Sequence, residues 1–157
     1  RLYRAFYKNN FFHFNNSFSL KYLKQKLKEN YGNKSKYFKI RNVRLILKKF
    51  DNLKLNVKCC FIKIDVEGYD HKVIYGMKRL IKNQKPVILV EYNKSNFSKI
   101  YNFLNKTYDC YFYDFNKNNL EKLINKEIKR LKKGLILEKK FKKNSVNIFF
   151  INKKSQI

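Results

Sequence analysis

The chain has 157 residues, with 38 Lys plus Arg against 11 Asp plus Glu, a formal net charge of +27 at pH 7. Its 44% hydrophobic and 17% aromatic content supplies enough apolar side chain for a core, which excludes intrinsic disorder over most of the length. No run approaches the roughly 18 uninterrupted apolar residues of a membrane span, and the start lacks the apolar stretch of a secretion signal, so a soluble cytoplasmic protein is expected. The length fits one domain. Three Cys, two of them adjacent (Cys59, Cys60), form neither a disulfide framework nor a paired CxxC zinc pattern. The first residue is Arg1 rather than Met, so the chain is expected to be part of a longer polypeptide.

Such a charge invites a nucleic-acid reading, because Lys and Arg that neutralise phosphates release counterions. Here Lys is spread along the whole chain among Asn, Ile, Phe and Tyr, as a solvated basic surface would be. The few acids are more informative. Asp65, Glu67 and Asp70 fall within six residues of one another, and Glu91 ends the next apolar run.

In chain order, residues 1–18 are aromatic and broken by Asn pairs, which predicts one or two short strands with turns. Apolar residues among lysines over 18–30 predict an amphipathic helix ending near Gly32. The segment YFKIRNVRLILKKF reads as a strand leading into a short helix. CCFIKIDV is a compact apolar run stopped by Glu67 and Gly68, the pattern of a strand buried on both faces. Val73, Ile74, Met77, Leu80 and Ile81 then form one apolar stripe, predicting a helix over 70–83 with Asp70 at its N-cap. Pro86 ends it and introduces VILVEY, so strand, helix and strand form a right-handed βαβ unit with parallel strands.

A helix over 97–104 follows, then the aromatic strand YDCYFYDF, then a long charged helix over 118–133 closed by Gly134. LILE and SVNIFFIN are expected to pair antiparallel at the sheet margin, where YDCYFYDF also pairs antiparallel with SVNIFFIN. The class is α/β. Ligands of an open α/β sheet bind beyond the carboxyl ends of its parallel strands, which is where Asp65, Glu67 and Glu91 would project. Two readings of these acids are open: a functional site, or strand-end and helix-capping carboxylates that anchor Lys63 or a backbone amide. His71, beside them, is either a general base near neutral pH or a surface histidine.

The string FIKIDVEGYDHKVIYGMKRLIKNQKPVILVEYN resembles the core signature of FkbM-type methyltransferases. Lys63, Ile64, Asp65, Val66, Glu67 and Gly68 match its K-I-D-V-E-G, and Asp70 stands where the family usually has Glu. Gly76 matches the helix glycine, and Pro86, Ile88, Leu89 and Glu91 match the second strand. Looser similarity lies in SFSL at 17–20 and in the closing SVNIFFIN. Within 40–53, Phe50-Asp51 or Leu47 takes the place of a short Leu-Asp element.

The resemblance implies a Rossmann-like class I methyltransferase sheet that moves a methyl group from S-adenosylmethionine to a hydroxyl of a sugar or small metabolite. It implies catalytic roles for Asp65 and Glu67, cofactor contacts from Asp65, Gly68 and Glu91, and no metal. The Gly-rich cofactor turn of such enzymes is missing, since Gly32 stands alone among the first 67 residues. The sheet is therefore expected to be incomplete, its N-terminal strands lying upstream in the same protein, and the chain to be inactive alone. On this reading residues 1–157 form one partial domain, with 1–50 a divergent lead-in and 57–157 the matched core and edge strands. The competing reading is a non-enzymatic basic protein that binds nucleic acid or serves a structural role, its acids only capping and pairing.

Overall fold

The computed structural model describes the chain except residues 1, 8–9, 18–19, 54–55, 67, 136–146 and 156–157. It divides into two compact units, Arg1–Leu47 and Lys48–Ile157.

In the first unit β1 (Leu2–Tyr7) pairs antiparallel with β2 (Asn10–Ser17) and with β3 (Lys39–Val43), giving the order β2-β1-β3. The expected strands at the start are both present. Helix α1 (Leu20–Tyr31) buries Leu23 and Leu27 against Ala5 of β1, the four-residue spacing placing both leucines on one face. Gly32 follows with φ +51, the left-handed conformation that ends a helix at little cost only for glycine.

The second unit is built on a five-stranded sheet with the order β4-β5-β8-β6-β7. Strand β4 (Phe61–Ile64) pairs parallel with β5 (Val87–Glu91), as the βαβ pattern predicts. Strand β8 (Asn147–Asn152) is antiparallel to both β5 and β6 (Tyr108–Asp114), so β4, β5 and β6 all run one way with β8 between β5 and β6. The antiparallel pairing of YDCYFYDF with SVNIFFIN holds, but its expected marginal position does not. Strand β8 is interior because both its edges are paired, and its Ile148 and Phe150 are fully buried. Of LILE, residues 136–138 lie outside the described residues.

Strand β4 is shorter than expected and, among the described residues, pairs on one side only. Phe61 is 49% exposed and Lys63 is exposed, so the expectation of burial on both faces fails. Cys59 and Cys60 precede the strand, half-buried and exposed, instead of opening a buried one.

The expected helix over 70–83 is two helices, α2 (Asp70–Gly76) and α3 (Lys78–Gln84), separated at Met77. The cause lies outside the segment. Asp51, in a 3-10 turn at Phe50–Asn52, accepts hydrogen bonds from the backbone N–H of Arg79 (2.7 Å) and of Leu80 (3.1 Å). Its carboxylate thus satisfies the first amides of α3 as a capping side chain would, while the Arg79 guanidinium donates to the Asp51 carbonyl.

Helix α4 (Lys94–Leu104) starts earlier than expected. The predicted helix over 118–133 is instead a hairpin strand, β7 (Asn119–Lys122), and a shorter helix, α5 (Asn125–Lys132). Asp114 Oδ1 accepts from the N–H of Asn116 (2.9 Å) and Lys117 (3.4 Å), and Asn118 takes φ +51, so turn chemistry reverses the chain before a helix can form. Gly134, with φ +79, does close α5.

Alternation along the strands sorts the sheet into two faces. Ile64, Val90, Ile148 and Phe112 form one row across β4, β5, β8 and β6, buried with Ile74, Phe97, Ile100 and Leu131 of the helices. The neighbouring row of Lys63, Leu89, Phe149 and Tyr111 faces the other way and is only partly buried or exposed.

Candidate functional site

The carboxyl ends of β4 and β5 meet at one edge of the sheet. Ile64 is in register with Val90, so Asp65, the first residue after β4, comes next to Glu91, the last residue of β5, which is still paired with Asn147 of β8. Both are exposed. Lys63 Nζ lies 3.6 Å from Asp65 Oδ2, with the two side chains 62% and 48% exposed. The lysine has its acid, but water screens the pair, which limits it to at most about 1 kcal/mol. Glu67 lies outside the described residues.

The loop after β4 turns on Gly68, whose φ of +92 only glycine adopts without strain. A Cβ there would sit 3.9 Å from the side-chain amides of Asn93 and Asn96, ordinary contact, so backbone conformation rather than space requires the glycine.

Asp70 opens α2 but does not cap it. Its carboxylate is 3% exposed and turns back, Oδ1 accepting from the Val66 N–H at 3.4 Å and Oδ2 from the Asn96 side-chain amide at 3.1 Å. Asn96 is itself 2% exposed. A buried carboxylate survives only when hydrogen-bonded, and this one ties the loop after β4 to the first turn of α4. Asn93 completes the arrangement as the N-cap of α4, its Oδ1 accepting from the Ser95 N–H (2.9 Å) and hydroxyl (2.6 Å). The two strand-end loops are thus held in one framework. Sequence reading missed Asn93 and Asn96. A capping asparagine ahead of Lys94-Ser95 was available as a signal for the first, whereas nothing separates Asn96 from the many other asparagines.

His71 follows Asp70 on α2. Its Nδ1 is enclosed without a hydrogen-bond partner among the described residues, and its ring meets Tyr75 edge-on with centroids 5.9 Å apart. Burial, then the positive charges of Lys99 and Lys72, hold the imidazole below the usual 6.5, outweighing the Asn96 side chain and the Asp70 carboxylate. The surroundings of His71 thus favour its neutral form. The Cys110 thiol is buried and pushed well above its ordinary range, so it is no nucleophile. Among the described residues no group of three His, Cys, Asp or Glu is placed to hold a metal ion, and no helix is long and apolar enough to cross a membrane.

A mixed α/β sheet with two parallel strands ending in adjacent carboxylates, over a glycine turn and a braced loop, is compatible with a methyltransferase-like fold. Comparison with known families makes the assignment. The methyltransferase FkbM domain matches residues 3–113, more than half of the chain, and the chain belongs to that family. Membership places it among the methyltransferases in general. No curated protein and no solved structure matches it.

Proposed function

We propose that the chain is the C-terminal part of an S-adenosylmethionine-dependent methyltransferase domain that methylates a hydroxyl oxygen of a sugar or small metabolite. The observation that carries this reading is the parallel β4–β5 pair, which sets Asp65 and Glu91 side by side at the sheet edge within the family's matched segment. When bound, S-adenosylmethionine supplies an electrophilic methyl group. The donor set fits one side of such a cofactor, because carboxylates complement its positive charge and accept hydrogen bonds from its hydroxyls. Asp65, Gly68 and Glu91 are the residues assigned to that contact.

Asp65 and Glu67 orient the acceptor hydroxyl, since in-line methyl transfer gains most from holding nucleophile and methyl in a near-attack geometry. Glu91 shapes the same pocket from the neighbouring strand. His71, its neutral form favoured, is the group available to take the hydroxyl proton. The buried Asp70–Asn96 bond keeps the loop of Asp65 and Gly68 in place. Cytoplasmic action belongs to the same reading and accords with free thiols at Cys59, Cys60 and Cys110.

The cofactor's other side is assigned to an upstream portion of the same protein, with which these residues would form one domain. Two observations support this. Strand β4 has an unpaired edge among the described residues, and the row of Lys63, Leu89, Phe149 and Tyr111 is not fully buried, whereas a sheet with parallel strands is ordinarily paired and covered on both faces. Isothermal titration tests the proposal on the 157-residue chain and on the chain extended upstream through a Gly-rich strand-turn-helix. The expected result is no S-adenosylmethionine binding tighter than about millimolar for the first and micromolar binding for the second. Micromolar binding to the shorter chain overturns the upstream assignment. No binding to either overturns the cofactor assignment.

A further inference from the structure

Lysines are spread along the whole chain, but the fold does not spread the acids. Helix α4 packs against both α2 and α5, and the three cover one face of the sheet. They contain two carboxylates, Asp70 and Glu127, 3% and 8% exposed. Each is taken up by the fold. Asp70 holds the Val66 N–H and the Asn96 amide, and Glu127 accepts from the Ile124 N–H at 2.9 Å at the start of α5. No carboxylate of these helices therefore stands on their solvent side. Among the described residues the ion pairs join Lys26 with Glu29, Lys63 with Asp65, Lys117 with Glu121 and Lys122 with Asp109, all outside α2, α4 and α5.

The basic side chains do stand there. On α5, Lys126, Lys129 and Arg130, with Lys133 at the C-cap, follow the i, i+3, i+4, i+7 spacing of one helix face, opposite the buried Ile128 and Leu131, and all four are exposed. Lys132 reaches across to α4, its Nζ donating to Asn102 Oδ1 at 2.9 Å and lying 4.4 Å from the centre of the Tyr101 ring. Lys99 of α4 and Lys72 of α2 are exposed too, and after burial it is their charges that hold the His71 imidazole low. Tyr75 of α2 is 44% exposed and leans on α4, its ring centre 5.1 Å from that of Phe103. Two helix spacings make this face roughly 20 Å wide.

Like charges gathered on one face repel one another, and a polyanion laid across them relieves that repulsion. A bilayer surface would call for apolar side chains that insert, and on these helices Tyr75 is the one exposed large apolar side chain among the described residues. An aromatic ring set among cations suits single-stranded nucleic acid, whose phosphates release counterions while its bases stack. From the acid-free basic face of α2, α4 and α5 and the ring within it, we propose that this face binds single-stranded nucleic acid. The phosphates follow Lys126, Lys129 and Arg130 of α5 and Lys99 of α4, and a base stacks on Tyr75. The inference does not depend on the methyl-transfer assignment.

The test is fluorescence anisotropy of the 157-residue chain with a labelled deoxythymidine strand of roughly 20 nucleotides and with an abasic strand of the same length, over a series of salt concentrations. The thymidine strand is expected to bind saturably and about 5-fold more tightly than the abasic one, the lower end of what one stacked base contributes. Lys126→Gln, Lys129→Gln and Arg130→Gln together should weaken both strands about 10-fold at low salt and flatten the slope of log affinity against log salt by about 2, the share of three phosphate contacts on a single strand. Lys21→Gln, Lys24→Gln and Lys28→Gln remove the same charge from exposed positions on α1 and should change affinity by less than about 2-fold. Tyr75→Leu should erase the preference for the thymidine strand and leave the salt slope unchanged. Binding that never saturates, equal losses from the two triple variants, equal affinity for the two strands, or a preference that survives Tyr75→Leu overturns the proposal. So does binding to phosphatidylserine vesicles with none to the thymidine strand. If Tyr75→Leu does not fold, the ratio of the two strands on the unmodified chain and the contrast between the two triple variants decide the matter.

Discussion

The two compact units differ in what their described side chains bury. In Arg1–Leu47, among the described residues, Ala5, Leu23 and Leu27 are buried, with Tyr3, Tyr31, Phe38 and Ile40 packed against them beneath the β2-β1-β3 sheet. A three-stranded sheet with one helix is near the lower limit for independent stability. In Lys48–Ile157 the sheet is packed, among the described residues, by the helices α2 to α5, and large side chains such as Phe97, Phe112 and Phe150 are fully buried. Side-chain packing therefore carries the unit that holds the candidate site.

The largest expected effect sharpens that contrast. Phe150→Ala empties the centre of β8 between two paired strands and should cost about 3–5 kcal/mol, whereas Leu27→Ala in the smaller cluster should cost about 2–3 kcal/mol. Urea unfolding read by amide hydrogen exchange resolves the two. Leu27→Ala should lower protection in β1 and β3 and leave β5 and β6 protected. Equal loss of protection in both units would mean that they unfold as one, and the contrast would fall.

The same contrast explains what could be read in advance. The parallel pairing of β4 with β5 was legible because apolar runs at Phe61 and Val87 flank one continuous apolar stripe, a pattern local to about thirty residues. The position of β8 was not, because nothing in Asn147–Asn152 says which strands will accept it. The residues after Asp114 misled for a local reason. Leu120, Leu123, Ile124 and Ile128 have helical spacing, but an Asp-initiated turn and a left-handed Asn118 set the chain into a hairpin first. At the candidate site, Asp65, Gly68 and Glu91 are singled out by a motif and by strand ends. Asn96 is not, since its partner Asp70 is 26 positions away in the chain.

The break at Met77 is the clearest case of an element decided from a distance. Val73 to Ile81 would suit one uninterrupted helix, and the carboxylate of Asp51 ends that option by occupying the first amides of α3. Asp51→Ala should therefore cost about 1–2 kcal/mol, the usual worth of a capping carboxylate. Because the stripe remains intact, the variant should also gain helical order across Met77, seen as new slow-exchanging amides at 77–80. A stability loss without such amides would mean that Gly76 or the packing of Met77, not Asp51, divides the helix.

The smallest effect concerns His71 and depends on pH. Its imidazole is held below 6.5 in the folded chain by burial, Lys99 and Lys72, with the Asn96 side chain and the Asp70 carboxylate opposing. In the window between that lowered value and 6.5, the unfolded chain binds the proton more readily than the folded one. Stability from this group is thus fully present above 6.5 and is lost as pH falls through the window. His71→Gln removes the titrating ring, so the advantage of the unmodified chain over the variant should be greatest above 6.5 and shrink on acidification. The chain's one other histidine, His13, is common to both proteins, and so are the carboxylates, which cancels their contributions from the difference. Urea midpoints measured for both proteins from roughly pH 5 to pH 8 read this directly. Parallel curves would mean that His71 is as free to charge in the folded chain as in the unfolded one, and would withdraw the neutral imidazole from the strand-end site.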